Sequence, residues 1–216
     1  MSNIVTYSFA PSAPAATSVC TSQTRATAGD LTIDGTLAVA EVATLGEQCH
    51  LSLTTTEDLS GLTFTIYGTS RRGIAIQETI TGPNNTTINT VGNYNTVTRI
   101  AASAGMGGVN LSVGNSSGTL ETSWATMNQY AFNKGISVQL SSGASLTYEV
   151  QYSPQKMDLT LWEDQISTLA DAVLTGKMAS AGIQTIITWP LIRLKITNYV
   201  SGSGVLIISE PAQAST

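Results

Sequence analysis

Charge is what this chain has least of. Lys, Arg, Asp and Glu supply only 11% of its 216 residues, against roughly a quarter in an average soluble domain. Nine basic residues stand against fourteen acidic ones, for a formal charge of −5, and Arg71-Arg72 is the largest basic cluster. Nucleic acid and anionic membrane surfaces bind clustered Lys and Arg, so both are poor partners here. Histidine is nearly absent too. The lone His50 lacks a second metal ligand and a nucleophile of matching spacing, and it reads as a structural or surface residue. Two cysteines, Cys20 and Cys49, cannot make a disulfide framework for a domain this size and match no zinc motif. They read as free thiols in a reducing cytoplasm, with an isolated Cys20–Cys49 bridge as the other reading.

Long apolar runs are missing as well. The first twenty residues, MSNIVTYSFAPSAPAATSVC, have no basic start and are interrupted by Ser, Thr and two prolines, which argues against a signal peptide or a membrane-spanning helix. No Walker or dinucleotide fingerprint follows a strand and opens a helix. The adjacent acids Glu57-Asp58 and Glu163-Asp164 are poor glycosidase carboxylates, because chain neighbours point apart. The expectation is a protein without catalytic residues, cofactor or metal. Aromatics are only 6%; Trp124, Trp162 and Trp189 either anchor cores or stack on sugars.

What is abundant is hydroxyl. The chain holds 32 Thr and 24 Ser, and Thr suits strands because its branched Cβ fits the pleat. With 42% hydrophobic residues there is enough apolar mass for one large all-β domain or two small ones. The central stretch is Gly61 to Asn85. Leu62, Phe64 and Ile66 alternate with polar residues, then Ile74, Ile76 and Ile80 share a face after a tip holding Arg71 and Arg72. That pattern predicts a β-hairpin closed by Gly82-Pro83-Asn84-Asn85. The two arginines at its tip are either a solvated turn or a pair that docks on an acidic partner surface.

Before the hairpin, residues 1–28 are rich in Ala, Ser, Thr and Pro and read as an extended N-terminal arm. Either the arm is flexible, or Ile4, Val5, Tyr7 and Phe9 add a strand to a neighbouring subunit or sheet edge. Asp34-Gly35 between Leu31, Ile33 and Leu37, Val39 predicts a short hairpin. After the hairpin, Gly114-Asn115-Ser116-Ser117-Gly118 is the best linker candidate. The expected division is an arm over 1–28, a first domain over 29–115 and a second over 119–216. In the second half, 136–140 and 146–152 alternate strictly and predict another hairpin. Residues 158–175 break that rhythm, with Leu159, Trp162, Ile166, Leu169 and Val173 close to a helical stripe: one short helix, or an irregular loop pinned by Trp162.

The halves echo one another. Tyr94, Val97-Thr98-Arg99-Ile100, a small-residue loop and Val109 to Val113 match Trp189, Leu191-Ile192-Arg193-Leu194, a similar loop and Val205 to Ile208. Leu62 to Ile66 matches Leu146 to Val150. The economical fold is all-β: two tandem antiparallel β-sandwiches, jelly-roll or Ig-like, with the N-terminal arm. Glu78-Thr79-Ile80-Thr81-Gly82-Pro83-Asn84, followed by Tyr94 and Val97-Thr98, resembles a pattern in structural proteins of tailed bacteriophages. The run ending in Leu191-Ile192-Arg193-Leu194-Lys195-Ile196 and a Gly-Ser turn resembles their second half, so the similarity spans about residues 50 to 208 and fails at 158–182.

That resemblance implies a virion component, a capsid decoration (cement) protein assembled in the host cytoplasm and placed on the outer surface of the phage head. Its partner would be the phage major capsid protein, bound across neighbouring subunits, with self-association through open sheet edges. The alternatives are a tail, neck or baseplate adaptor and a carbohydrate-binding module for host attachment. Candidate protein-binding residues are Ile4, Val5, Tyr7, Phe9, Arg71, Arg72 and Trp162.

Overall fold

The computed structural model describes residues 3–122, 124–127, 134–154, 169–170, 174–185 and 190–210. Among them the chain is all-β, with no helix. In chain order the strands are β1 (Asn3–Phe9), β2 (Ala15–Gln23), β3 (Gly29–Asp30), β4 (Ala38–Val39), β5 (Val42–Thr54) and β6 (Thr63–Thr69). There follow β7 (Ala75–Thr81), β8 (Thr87–Asn89), β9 (Tyr94–Ala102), β10 (Leu111–Glu121), β11 (Ala125–Thr126) and β12 (Lys134–Leu140). The last are β13 (Ser145–Ser153), β14 (Leu169–Ala170), β15 (Ala181–Thr185), β16 (Leu191–Ser201) and β17 (Gly204–Glu210). Two compact units result: Ser12–Leu120, and Met1–Pro11 together with Glu121–Thr216.

In the unit 12–120 the strand order is β10-β5-β9-β6-β7, with β2 on β10, β3 on β9, and β4 and β8 on β5. Alternation sets the buried face. Along β6, Phe64 and Ile66 are fully buried while their neighbours stay at the surface; Val97, Ile100, Leu51 and Leu53 of the same unit are buried too. The expected central hairpin is present, with β6 and β7 paired from Thr63↔Thr81 to Thr69↔Ala75. Each fully buried side chain of this size contributes about 1.5–3 kcal/mol.

Strand β5 changes partner along its length. Ala43 and Thr44 pair with β9, an irregularity falls between Thr44 and Cys49, and Ser52 to Thr54 pair with β8. A bulge of this kind bends a strand and re-aims it.

The unit formed by 1–11 and 121–216 has a four-stranded sheet in the order β1-β17-β12-β15 and a second set, β14-β13-β16, with β11 on β16. Its buried residues include Phe9, Ile136, Val138, Tyr148, Val150, Ile192, Leu194, Leu206 and Ile208. The hairpin read from 136–140 and 146–152 splits between these sets, since β12 pairs with β17 and β13 with β16.

Several sequence readings are corrected. The predicted linker 114–118 lies inside β10. Gly114 is there because a Cβ would fall 1.8 Å from the Ala15 carbonyl oxygen, so glycine lets β2 approach β10. The arm over 1–28 is divided, with β1 in one unit and β2 in the other. Phe9, Val19 and Cys20 within it are buried, so removing 1–28 opens both cores.

The hairpin expected at Asp34-Gly35 forms six residues later. β4 pairs with β5 across Ala40 and Glu41, whose φ values are 51° and 61°. Asp34 instead accepts hydrogen bonds from the Thr21 N–H at 2.8 Å and the Thr21 hydroxyl at 2.7 Å, and Gly35 packs on the Ser18 backbone. Side-chain bonding has displaced the turn. Most of 158–175, including Trp162, lies outside the described residues, as do Trp189 and Glu163-Asp164.

The internal echo survives in pairing. β6 lies antiparallel to β9 as β13 does to β16. Each unit also closes its first strand on its last, β2 on β10 and β1 on β17.

Candidate functional site

Of the residues singled out, Ile4, Val5, Tyr7 and Phe9 fall together on β1. Its seven residues pair with β17 from Asn3↔Glu210 to Phe9↔Gly204. Ile4 points outward at 61% exposure, Val5 and Tyr7 are half-buried, and Phe9 is 1% exposed. A Cβ on Gly204 would sit 2.6 Å from the Phe9 ring, so the ring occupies the space a side chain would need. Just beyond the strand, the Tyr199 hydroxyl shares its proton between the Pro11 and Gly202 carbonyls, each at 3.0 Å. These four residues thus lie on a strand that closes the edge of their own unit.

Arg71 and Arg72 sit at the tip between β6 and β7, as expected, and are tied down. The Arg71 guanidinium pairs with the buried Glu47 carboxylate, and the Arg71 backbone N–H donates to the Gln48 side-chain oxygen at 3.2 Å. The Arg72 N–H reaches the Ser70 hydroxyl at 3.3 Å. A solvated, unattached turn is thus replaced by one latched to β5. An arginine already neutralised by a buried carboxylate is a weak anchor for an acidic partner. Trp162, the remaining candidate, lies outside the described residues.

Two arrangements escaped the sequence reading. The first surrounds Arg193 on β16, 3% exposed. Its Nε donates to the Gln151 side-chain oxygen at 2.8 Å, its Nη1 pairs with Glu121, and its guanidinium lies 4.6 Å from the centre of the Trp124 ring. The Gln151 amide donates onward to Glu149, which stands 3.9 Å from the Lys195 ammonium. An arginine at an inward position of an apolar strand signals such a cluster, because a buried guanidinium needs a carboxylate nearby.

The second is Asn115 on β10. Its Nδ2 donates to the carbonyls of Ser12 at 3.1 Å and Ala13 at 3.0 Å, while its Oδ1 accepts from the Ala15 N–H at 3.1 Å and the Ser18 hydroxyl at 2.7 Å. One amide thus fixes the chain just before β2. Gly114 to Gly118 spells G-x-S-x-G, but it runs through a strand and lacks the strand–turn–helix bend that lifts a nucleophile out of a sheet.

Other titratable groups are in structural positions. Cys20 and Cys49 are free and buried, and burial pushes both thiols up to about 12, with Asp34 adding to the effect at Cys20. Asp58 is held below the usual carboxylate range by the Ser60 hydroxyl and N–H, which keeps it ionised and unsuited to act as a general acid. Lys134 is fully buried near Glu210; burial lowers its pKa and Glu210 opposes that shift.

Two shallow depressions lie in the unit 12–120. One, of about 290 Å³, is lined by Ser52, Thr54, Thr87, Asn89, Asn115 and Ser116 among others; the second, of about 270 Å³, includes Asp30, Glu41 and Arg99. In the first, Thr54 and Thr87 bond each other at 2.9 Å and Ser52 bonds the Gly114 carbonyl at 3.3 Å. No aromatic side chain is among the residues that line either depression. Among the described residues no three His, Cys, Asp or Glu side chains stand together to hold a metal ion, and no helix is long and apolar enough to cross a membrane.

Among the residues that carry the phage resemblance, Glu78 and Pro83 hold turns, while Thr79 to Thr81, Tyr94, Val97-Thr98 and 191–196 lie in strands. Both Glu78 oxygens accept backbone N–H bonds, from Val91 at 2.8 Å and Gly92 at 2.9 Å. The Pro83 carbonyl accepts from Leu59 at 2.9 Å, and Asn85 has φ 46°. Comparison with known proteins adds little. No family model and no curated protein matches the chain. Among solved structures, a secreted-protein candidate from Parabacteroides distasonis aligns over 97% of this chain and 89% of its own, at 9% identity and a TM-score of 0.23. A likeness that distant carries no argument about fold or function.

Proposed function

We propose that this chain is a non-catalytic virion component, a capsid decoration protein that binds across neighbouring major capsid protein subunits of a tailed phage and stiffens the shell from outside. In this reading each unit is an antiparallel β-sandwich, and the two stand in tandem. What supports it is the pairing of β1 with β17. Ile4, Val5, Tyr7 and Phe9 close a sheet edge of their own chain by backbone pairing, and the same kind of pairing at an open edge would join protein to protein without a charged patch.

Further support comes from the low-charge, hydroxyl-rich composition and from the resemblance carried by Glu78 to Asn84. Shell binding would bury about 1,600 Å² per copy, mostly apolar and backbone surface with few ion pairs. Simultaneous contact with two capsid subunits adds avidity without any one strong site. The sheets also supply open edges for self-association, because β7 and β15 end their strand orders among the described residues.

The test compares particles stripped of this protein with intact ones. Decoration predicts that stripped particles break at lower temperature and under milder osmotic shock, and that adding the protein back restores both. Equal tolerance in the two preparations would end the reading. A tail, neck or baseplate position would leave shell tolerance unchanged and appear as a small, fixed copy number.

A further inference from the structure

Only Ala10 to Pro14 separates β1 from β2, yet the two strands belong to different units. The whole of the other unit, Ser12–Leu120, lies in sequence between β1 and the sheet that β1 completes. We propose that β1 is an exchangeable closing strand: the segment from Asn3 to Pro11 of one copy completes the four-stranded sheet of a second copy by pairing along its β17.

Donor and acceptor are both specified. The acceptor is the β17 edge with its seven-residue antiparallel register, the space over Gly204 that receives Phe9, and the Tyr199 hydroxyl that receives the Pro11 carbonyl. The donor touches the sheet on one side only, since β1 ends the strand order. If β1 left without replacement, β17 would lose its pairing on that side and Phe9 would leave a hole, so simple release is unfavourable. Exchange between two copies restores every one of those contacts. That near-equality of energy is what makes swapping of an identical element a low-cost route to association.

The chain before β2 is suited to the pivot. Pro11 and Pro14 have no N–H to add to a ladder and hold their neighbours extended, so β1 and β2 do not fold back on each other. In the exchanged form Asn115 of the same chain still holds Ser12 and Ala13, while Tyr199 is supplied by the second copy. The strand leaves its own unit with a fixed departure point and meets an acceptor it already matches. The inference rests on the assembly reading for its setting, and it gives self-association a named donor and acceptor.

Thr6 and Ile207 are register partners, and Thr6 is exposed. Two full-length variants, Thr6→Cys and Ile207→Cys, are prepared separately, mixed over a range of concentrations, oxidised and digested for mass spectrometry. Exchange predicts a covalent dimer linked between positions 6 and 207 whose yield rises with concentration. It is overturned if the mixture gives no such link while the double variant, T6C with I207C, closes entirely within single chains. Should either variant fail to fold by circular dichroism, a fluorescent peptide of residues 2–11 is added to the unaltered chain. Saturable binding that Phe9→Ala in the peptide abolishes supports exchange, and no binding overturns it. Particles rich in this protein but carrying only the within-chain link would leave the decoration reading intact and remove this one.

Discussion

Arg99 and Arg193 occupy matching places in the two halves and have the same company, a carboxylate and an aromatic ring. Arg99 bonds Asp30 at 2.8 Å and lies 5.0 Å from the centre of the Tyr67 ring; Arg193 pairs with Glu121 and lies 4.6 Å from Trp124. Their exposure is opposite. The side chains of Arg99 and Asp30 are 51% and 53% accessible, those of Arg193 and Glu121 4% and 6%. Water screens the first pair, and holding two mobile side chains together offsets most of what attraction is left. The second pair is out of water, so each charge depends on the other. The same three kinds of group, an arginine, a carboxylate and an aromatic ring, therefore matter little to stability in one unit and much in the other.

The difference extends to how each unit hides titratable groups. The unit containing Arg193 buries a charged pair and satisfies it with Gln151. In the unit 12–120, the buried Glu47 pairs with a half-exposed Arg71, and two neutral thiols, Cys20 and Cys49, are buried outright. Both units hold a buried carboxylate paired with an arginine; the unit 12–120 is in addition sensitive to losing a thiol proton.

Substitutions can sharpen that contrast. Arg193→Ala takes the guanidinium away from the buried Glu121 carboxylate and is expected to lower unfolding free energy by about 3–5 kcal/mol, read by urea denaturation. Replacing the pair together, Arg193→Met with Glu121→Leu, recovers most of that loss, because no buried charge is left over. A double variant as unstable as the single one would contradict the assignment.

Next in size is Asn115→Ala, which leaves the Ser12 and Ala13 carbonyls and the Ala15 N–H without their side-chain partner. The expected cost is about 2–3 kcal/mol, and limited proteolysis should show earlier cleavage near Pro14. The thiols give a pH window. Their folded pKa is raised from 9.0 to about 12, so the folded state keeps protons that the unfolded state releases. Their contribution is intact below about pH 9 and is lost as pH rises toward 12. A Cys49→Ser variant should flatten that alkaline decline, and native protein at neutral pH should react with a thiol reagent only after unfolding. The smallest effect is expected for Arg99→Ala, whose melting temperature should match the parent at ordinary salt; a drop as large as that of Arg193→Ala would erase the comparison.

How much of this could be read from residues alone follows physical range. Strict alternation is a local property, and the hairpin of β6 and β7, with Phe64 and Ile66 buried, was legible from it. The likeness of 62–66 to 146–150 was legible too, but the pairing of β6 with β9 and of β13 with β16 was not. What escaped depended on partners far away in sequence. Gly114 to Gly118 has the composition of a linker, and only the nearness of Ala15 to Gly114 explains a strand there. Asp34-Gly35 has the composition of a hairpin turn, yet Thr21 captures the Asp34 carboxylate and the turn moves to Ala40 and Glu41, residues with no intrinsic preference for positive φ. Arg71 and Arg72 looked unattached because nothing local announces Glu47 or Gln48. The candidate site was legible only as β1, and which sheet it closes required the register with β17.

The proposed function is tested most directly by counting and locating this chain in intact particles, by quantitative mass spectrometry together with an electron density map. Decoration predicts many copies per particle, arranged with the shell lattice on its outer surface. About six to twelve copies on the tail axis, as a symmetric ring would supply, or no copies at all, would contradict it.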